Sequence, residues 1–141
     1  MKENGVIVRQ AEQPDLDFVS QDGYLPGEVV SRKIEQGEVF LVCVENTPVG
    51  YLRLGFLWGE IPLIELIKVE KANRKRGYSR QLLAFVEKHL RGEGYQVLYS
   101  SSQVNETEPQ AWHRHMGFTE CGIINGLNEG DVGEVFFRKL L

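Results

Sequence analysis

Cysteine is scarce in this chain, and long apolar runs are missing altogether. The two thiols in 141 residues, Cys43 and Cys121, stand far apart in segments with strand character. They form neither a disulfide framework nor a metal-spaced cluster, and both are expected to be core thiols. The longest apolar stretches are strand-sized, so no membrane span is expected, and the opening "MKENGVIVRQ" lacks the apolar centre of a secretory leader. A cytoplasmic protein with no membrane partner is the resulting expectation. No internal repeat or low-complexity linker interrupts the chain, so residues 1–141 are read as a single domain. A composition of 42% hydrophobic and 26% charged residues is enough for one globular core and argues against disorder.

The standard nucleotide motifs are also missing. No G-x-x-x-x-G-K-[ST] occurs, and "GEGYQV" at 92–97 lacks the third glycine of a dinucleotide fingerprint. What the chain does have is an uneven distribution of charge. Its net charge is -4, yet between Lys68 and Arg80 six cations (Lys68, Lys71, Arg74, Lys75, Arg76, Arg80) face only Glu70, a local +5 that leaves -9 elsewhere. A general nucleic-acid binder would spread basic charge over a broad face, so no nucleic-acid partner is expected. The pattern suits one small anionic ligand on an otherwise acidic protein; a solvated basic loop, or a localisation signal in "KANRKR", are the plainer readings.

Periodicity gives the frame. "VIVRQA" reads as a strand, "EQPDLDFVSQ" as a helix with Pro14 in its first turn, and "GEVVSRKIEQ" as a helix stopped at Gly37. "EVFLVCVE" and "VGYLRLGFLW" form a hairpin turning through "NTP". "PLIELIKVE" is apolar on both alternating faces and is expected to be central and doubly buried. "SRQLLAFVEKHL" is the strongest helix, with Leu82, Leu83, Val86 and Leu90 on one face. A strand at "QVLYSSS", a short helix at "EPQAWHRHM", and strands at "FTECGII" and "EVFFRKLL" complete the order β-α-α-β-β-β-α-β-α-β-β.

A strand, a short basic loop containing a glycine, and a helix start make a phosphate cradle. The unpaired amides of the first helical turn point outward with the positive end of the dipole behind them. Gly77 permits close backbone approach, and Arg74, Arg76 and Arg80 add charge-assisted bonds.

"RKRGYS", Arg74 to Ser79, resembles the [QR]-x-x-G-x-[GA] pyrophosphate loop of the GNAT superfamily of acetyl-CoA-dependent N-acetyltransferases, in the place that loop takes between the fourth strand and the third helix. "AWHRHMGF" at 111–118 is similar to the family's later xxYxxxGF segment, and the element order matches over most of the chain. The resemblance implies an α/β (α+β) fold with a mixed, mostly antiparallel sheet of six to seven strands and about four helices. It also implies acetyl-CoA as co-substrate, no metal, and a primary amine of a small molecule or protein as acceptor. Ser79 stands where Gly or Ala is usual, but its side chain is small enough to leave the helix start open. Backbone groups of Ile67, Lys68 and Val69 would pair with pantetheine as an added strand. Lys71, Lys75 or Arg80 would lie near the outer phosphates, Tyr78 within the loop, and Asn105 near the pantetheine amides.

Transfer to an amine needs a base, an oxyanion donor and a proton for the departing thiolate. Glu65, on an apolar face of the doubly buried strand, is the first candidate base because desolvation would raise its pKa. An ion pair with Lys68 or a nearby arginine, or exposure, are the structural alternatives, and Glu60 is the second candidate. His113 occupies the family's tyrosine position and is the candidate acid, with Tyr99 and Tyr78 as fallbacks; a non-catalytic helix histidine is its plain alternative. His115, two residues on, points elsewhere. Trp58 and Trp112 are read as core or pocket walls. A non-catalytic acyl-CoA-binding or sensing module is the rival function, and a homodimer through the final strands stays open.

Overall fold

The computed structural model describes residues 5–141; the first four residues of the N-terminal segment read above for a leader lie outside that range. Seven strands form one sheet in the order β1-β2-β3-β4-β5-β7-β6. In chain order these are β1 (Val6–Gln10), α1 (Leu16–Val19), α2 (Gly27–Glu35), β2 (Val39–Val44), β3 (Thr47–Leu57), β4 (Ile61–Val69), α3 (Tyr78–Gly92), β5 (Val97–Gln103), α4 (Thr107–His115), β6 (Thr119–Asn128) and β7 (Val132–Leu140). The order of strands and α-helices is the one expected, with short 3-10 turns added at Gln13–Asp15, Lys71–Asn73 and Glu129–Asp131. The chain divides into two compact units, one running to Leu54 and resuming at Leu66–His89, the other made of Gly55–Glu65 and Leu90–Leu141.

In the first unit β2 pairs antiparallel with β1, Val6 opposite Val44, and with β3, Val39 opposite Arg53. Its sequence VFLVCV is apolar at every position because both faces are covered. Val39, Leu41 and Cys43 pack with Val19, Val30, Ile34 and Tyr51. On the other face Phe40 meets Phe85 and His89 of α3 edge-on. α2 contributes Val30 and Ile34, one turn apart, which puts both on the sheet side.

In the second unit β5 pairs antiparallel with β7 from Val97–Leu140 to Gln103–Glu134, and β7 pairs with β6. β4 and β5 are parallel, with Leu63 opposite Tyr99. Parallel neighbours need a long crossover, and the 15 residues of α3 lie in that connection. Alternate residues Leu98, Ser100 and Ser102 of β5 are buried, together with Val135 and Phe137 of β7.

Several expectations are corrected. The strands covered on both faces are β2 and β3, whereas β4 alternates, with Pro62 and Ile64 buried and Glu65 exposed. The first hairpin turns at Glu45–Asn46, both at positive φ, so Thr47 and Pro48 already belong to β3. Cys43 is a core thiol, but Cys121 is exposed because β6 is an edge strand whose residues Thr119–Leu127 are all exposed. Trp58 is 86% exposed rather than a core wall.

Trp58 occupies the first central position of the β3–β4 turn at φ 52, followed by Gly59 at φ 74, with Glu60 N–H donating to the Leu57 carbonyl at 3.0 Å. A bulky residue is disfavoured there, whereas Asn-Gly is the preferred pair for two consecutive positive-φ residues. Trp58→Asn is therefore expected to raise unfolding stability by about 1 kcal/mol, read from urea denaturation followed by circular dichroism.

Candidate functional site

Within the first unit, β4 ends at Val69, passes through the single turn Lys71–Asn73, and α3 begins at Tyr78. Two features shape the intervening loop. Arg74 Nε donates to the Val69 carbonyl at 3.0 Å, tying the loop back to the strand end. Lys75 and Gly77 both take positive φ, 64° and 83°. A Cβ built on Gly77 would meet nothing within 4 Å, so the space beside this backbone is open. Lys71, Arg74, Lys75, Arg76 and Arg80 are exposed around it, Tyr78 and Ser79 are half-buried, and the first turn of α3 contains no acid. Exposed cations, an open glycine and a 15-residue helix starting there suit a multiply charged phosphate ligand.

The same unit orients the end of β4. Glu70 N–H donates to the Val49 carbonyl at 2.8 Å, toward β3. Backbone groups alternate along a strand, so Lys68 also faces β3, and a Cβ at Gly50 would lie 2.9 Å from its carbonyl. Ile67 and Val69 face the other edge. Only these two of the three expected pantetheine partners thus turn their backbone groups away from β3; Lys68 turns toward it.

Within the second unit, Glu65 is exposed, and the burial on which its candidacy as base rested is not there. The alternation of β4 turns its odd members away from the buried set containing Pro62 and Ile64. Its position is nevertheless defined. A Cβ at Gly55, on the adjacent strand β3, would collide with the Glu65 carboxylate, so the absent side chain at Gly55 makes room for that carboxylate. Sequence reading missed Gly55, whose only signal is a glycine inside an otherwise apolar strand. Glu60 is exposed in the Trp58–Gly59 turn, and Asn105 is exposed in the turn between β5 and α4.

His113 has a different environment from the one expected. It is 3% exposed on the inner face of α4, stacked on Phe137 at 4.5 Å between centroids, with Nε2 2.7 Å from Ser100 Oγ on β5. Burial pulls its pKa down to about 4; the Pro109 carbonyl one turn back opposes that pull, although Nδ1 makes no hydrogen bond of ordinary geometry, and Arg114 adds to it. The ring is neutral at neutral pH and holds no imidazolium proton for a departing thiolate. Of the fallback donors, the Tyr99 hydroxyl accepts from Arg138 Nε at 3.2 Å. Trp112 stacks on Phe118, and His115 is exposed on the opposite side of α4 from His113. Among the described residues no group of three or more His, Cys, Asp or Glu is arranged to hold a metal ion.

The sequence model of the Acetyltransferase (GNAT) family matches residues 8–118. The chain belongs to the GNAT family of acetyltransferases. Solved GNAT-fold structures are similar to it over nearly the whole chain. An acetyltransferase of the GNAT family from Bacillus cereus ATCC 10987 is 24% identical, covers 96% of both chains, and has a TM-score of 0.78. The ribosomal-protein-alanine N-acetyltransferase from Brucella melitensis is 22% identical over 96% of this chain and 99% of its own, with a TM-score of 0.78. The NatC complex, bound to Gag peptide and CoA, contains a chain 12% identical over 96% and 98%, with a TM-score of 0.80. No curated protein gives a significant sequence match. Among the described residues, the mixed seven-stranded sheet with four α-helices is the GNAT fold, and His113, expected at the motif's tyrosine position, is buried.

That histidine couples folding to pH. Its folded pKa, about 4, lies below the unfolded value near 6.5, so between them the unfolded chain binds the extra proton. This contribution is fully present above about 6.5 and is lost as pH falls toward 4. The urea midpoint of wild type is expected to fall over that interval, and His113→Phe should flatten that fall, leaving only the part due to carboxylates.

Proposed function

We propose that this GNAT member transfers an acetyl group from acetyl-CoA to a primary amine, by direct attack of the amine within a ternary complex. Residues 1–141 act as a single catalytic domain in this reading, in a cytoplasmic setting. The observation that carries it is the loop from Arg74 to Arg80: exposed cations around an open Gly77 at the start of α3. Arg76, Lys75, Arg80 and the helix amides would hold the pyrophosphate, with Lys71 near the outer phosphates and Tyr78 and Ser79 leaving the helix start accessible. Arg74, bonded to Val69, holds the loop's shape while adding charge. Ile67 and Val69 would pair with pantetheine through their outward backbone edge, and Asn105 would bond its amides. When bound, acetyl-CoA supplies the activated acyl group.

The remaining chemistry falls to this chain's side chains. Glu65 is proposed as the base that takes the amine proton, directly or through water, because its carboxylate is accessible and located over Gly55. The backbone N–H of Ile67 or Val69 is the proposed oxyanion donor. His113 is neutral and bonded to Ser100, so the thiolate proton is proposed to come from solvent or another group. The names of two neighbours, an alanine N-acetyltransferase of ribosomal protein and a peptide-bound complex, make protein or peptide amines one acceptor class to test. Small polyamines are another.

Calorimetry should show CoA binding, and Gly77→Asp should abolish most of it by placing a carboxylate where phosphate must approach. Unchanged affinity would put the phosphates elsewhere. In a screen of amines with acetyl-CoA, Glu65→Gln should lower kcat by roughly 10²-fold while CoA affinity stays at the wild-type level. Tight CoA binding with no transfer to any amine would instead identify an acyl-CoA sensor.

A further inference from the structure

Two glycines interrupt the apolar run of β3, and they are there for different reasons. At Gly50 an added Cβ would meet backbone, the Lys68 carbonyl at 2.9 Å, together with the Val69 and Val42 side chains at 3.1 and 3.2 Å. Packing against fixed atoms demands a glycine at that position. At Gly55 the three atoms nearest to an added Cβ all belong to one side chain, that of Glu65: Oε2, Cδ at 2.6 Å and Cγ at 2.9 Å. No backbone atom stands among those three. Both residues lie in the second unit, Gly55 buried in β3 and Glu65 exposed on β4.

The usual reasons for a glycine inside a strand do not apply at position 55. Gly55 takes no positive φ, so its backbone conformation is open to any L-residue. Packing does not require it either, because an exposed glutamate can make room for one methyl group by changing rotamer. Stability argues against it. A glycine in a strand interior loses more backbone freedom on folding than alanine and has no side chain to pack, so the fold alone would be better served by alanine. What only glycine provides is the space now taken by the Glu65 carboxylate. A long side chain that reaches into water ordinarily samples many positions, and this one lies back across β3 in the volume of an absent Cβ.

We infer that Gly55 is a positioning residue for the transfer: it leaves the seat that holds the Glu65 carboxylate in the place from which it takes the amine proton. This rests on the reading of Glu65 as the base and adds to it the residue that locates that base. In this assignment Gly55 touches neither substrate and acts only through Glu65. A base must lie within hydrogen-bond reach of the proton it removes, and a misplacement of about 1 Å is enough to slow such a step about 10²-fold. Stability is given up at position 55 for geometry, the exchange expected where an active site and a fold ask for different residues.

The test uses the full chain, saturating acetyl-CoA, and two amines, spermidine and a pentapeptide with a free N-terminus. For the better amine, Gly55→Ala should lower kcat by roughly 10- to 100-fold, while KM for acetyl-CoA and CoA affinity by calorimetry stay within about twofold. Its urea midpoint should stand at or above that of wild type, because alanine suits the strand. In the Glu65→Gln background the same substitution should leave kcat unchanged within about twofold, since no base is left to displace. A crystal structure of Gly55→Ala should show the Glu65 carboxylate moved off β3 with both strand backbones in place. The assignment is overturned if Gly55→Ala keeps the wild-type kcat although Glu65→Gln loses it, if the two losses multiply, or if the carboxylate stays where it is. A lower midpoint for Gly55→Ala also overturns it, since Gly55 would then be a requirement of the fold. Glu65→Gln with wild-type kcat, or wild type that binds CoA yet acetylates neither amine, overturns the reading of Glu65 as base and this assignment with it.

Discussion

The first unit depends on a strand that cannot face water on either side. β2 is apolar at all six positions, so it must be covered twice, by α1 and α2 over Val39, Leu41 and Cys43 and by α3 over Phe40. Each fully buried side chain of this size contributes about 1.5–3 kcal/mol, more than a loop contact supplies, so the helices go where β2 requires. Fixing α3 against Phe40 also fixes where its first turn lies relative to the end of β4. The basic loop then has only the residues between Val69 and Tyr78 in which to join them. The position of the loop proposed to cradle the anion is thus a by-product of core packing.

The residues of that loop contribute little to packing. Lys75 and Gly77 take positive-φ backbone conformations, Arg74 ties the loop to Val69, and Lys71, Lys75, Arg76 and Arg80 are exposed. None of them contributes to a core. Exposed charges interact weakly with one another in water, so a concentration of them on a chain of net charge -4 has little to offer the folded state and much to offer a polyanion.

Both units bury polar groups, and each does so by pairing. In the first, Arg53 is among the most deeply buried side chains and is balanced by Asp22, whose pKa is driven well below the usual carboxylate range; burial opposes this, and the Arg53, Tyr24 and Tyr51 hydrogen bonds outweigh it. Burial, and then the same carboxylate, raise the Tyr51 phenol. In the second, His113 gives up its charge instead, since its partner Ser100 offers a hydroxyl and no counter-charge. Breaking one member of the Asp22–Arg53 pair would strand a buried charge, a loss of about 3–5 kcal/mol, whereas His113 can be kept neutral at modest cost.

The element order, the acetyltransferase family and the open basic loop around Gly77 were legible in the sequence because each rests on local information. Helical spacing of Leu82, Leu83, Val86 and Leu90, the alternation or continuity of apolar strands, and the cations flanking Gly77 are all properties of neighbouring residues. What the sequence could not show was which apolar strand is covered twice. "PLIELIKVE" and "VFLVCV" look alike, but only strand order and helix placement decide that β2 is enclosed and that Glu65 meets solvent. Likewise nothing near Cys121 marks β6 as an edge, and nothing near His113 marks Phe137 and Ser100 as its neighbours. The clamp from Asp22 to Arg53 spans 31 residues of sequence and has no local signature at all. Burial and long-range pairing are set by which surfaces meet, and that is decided by tertiary structure alone.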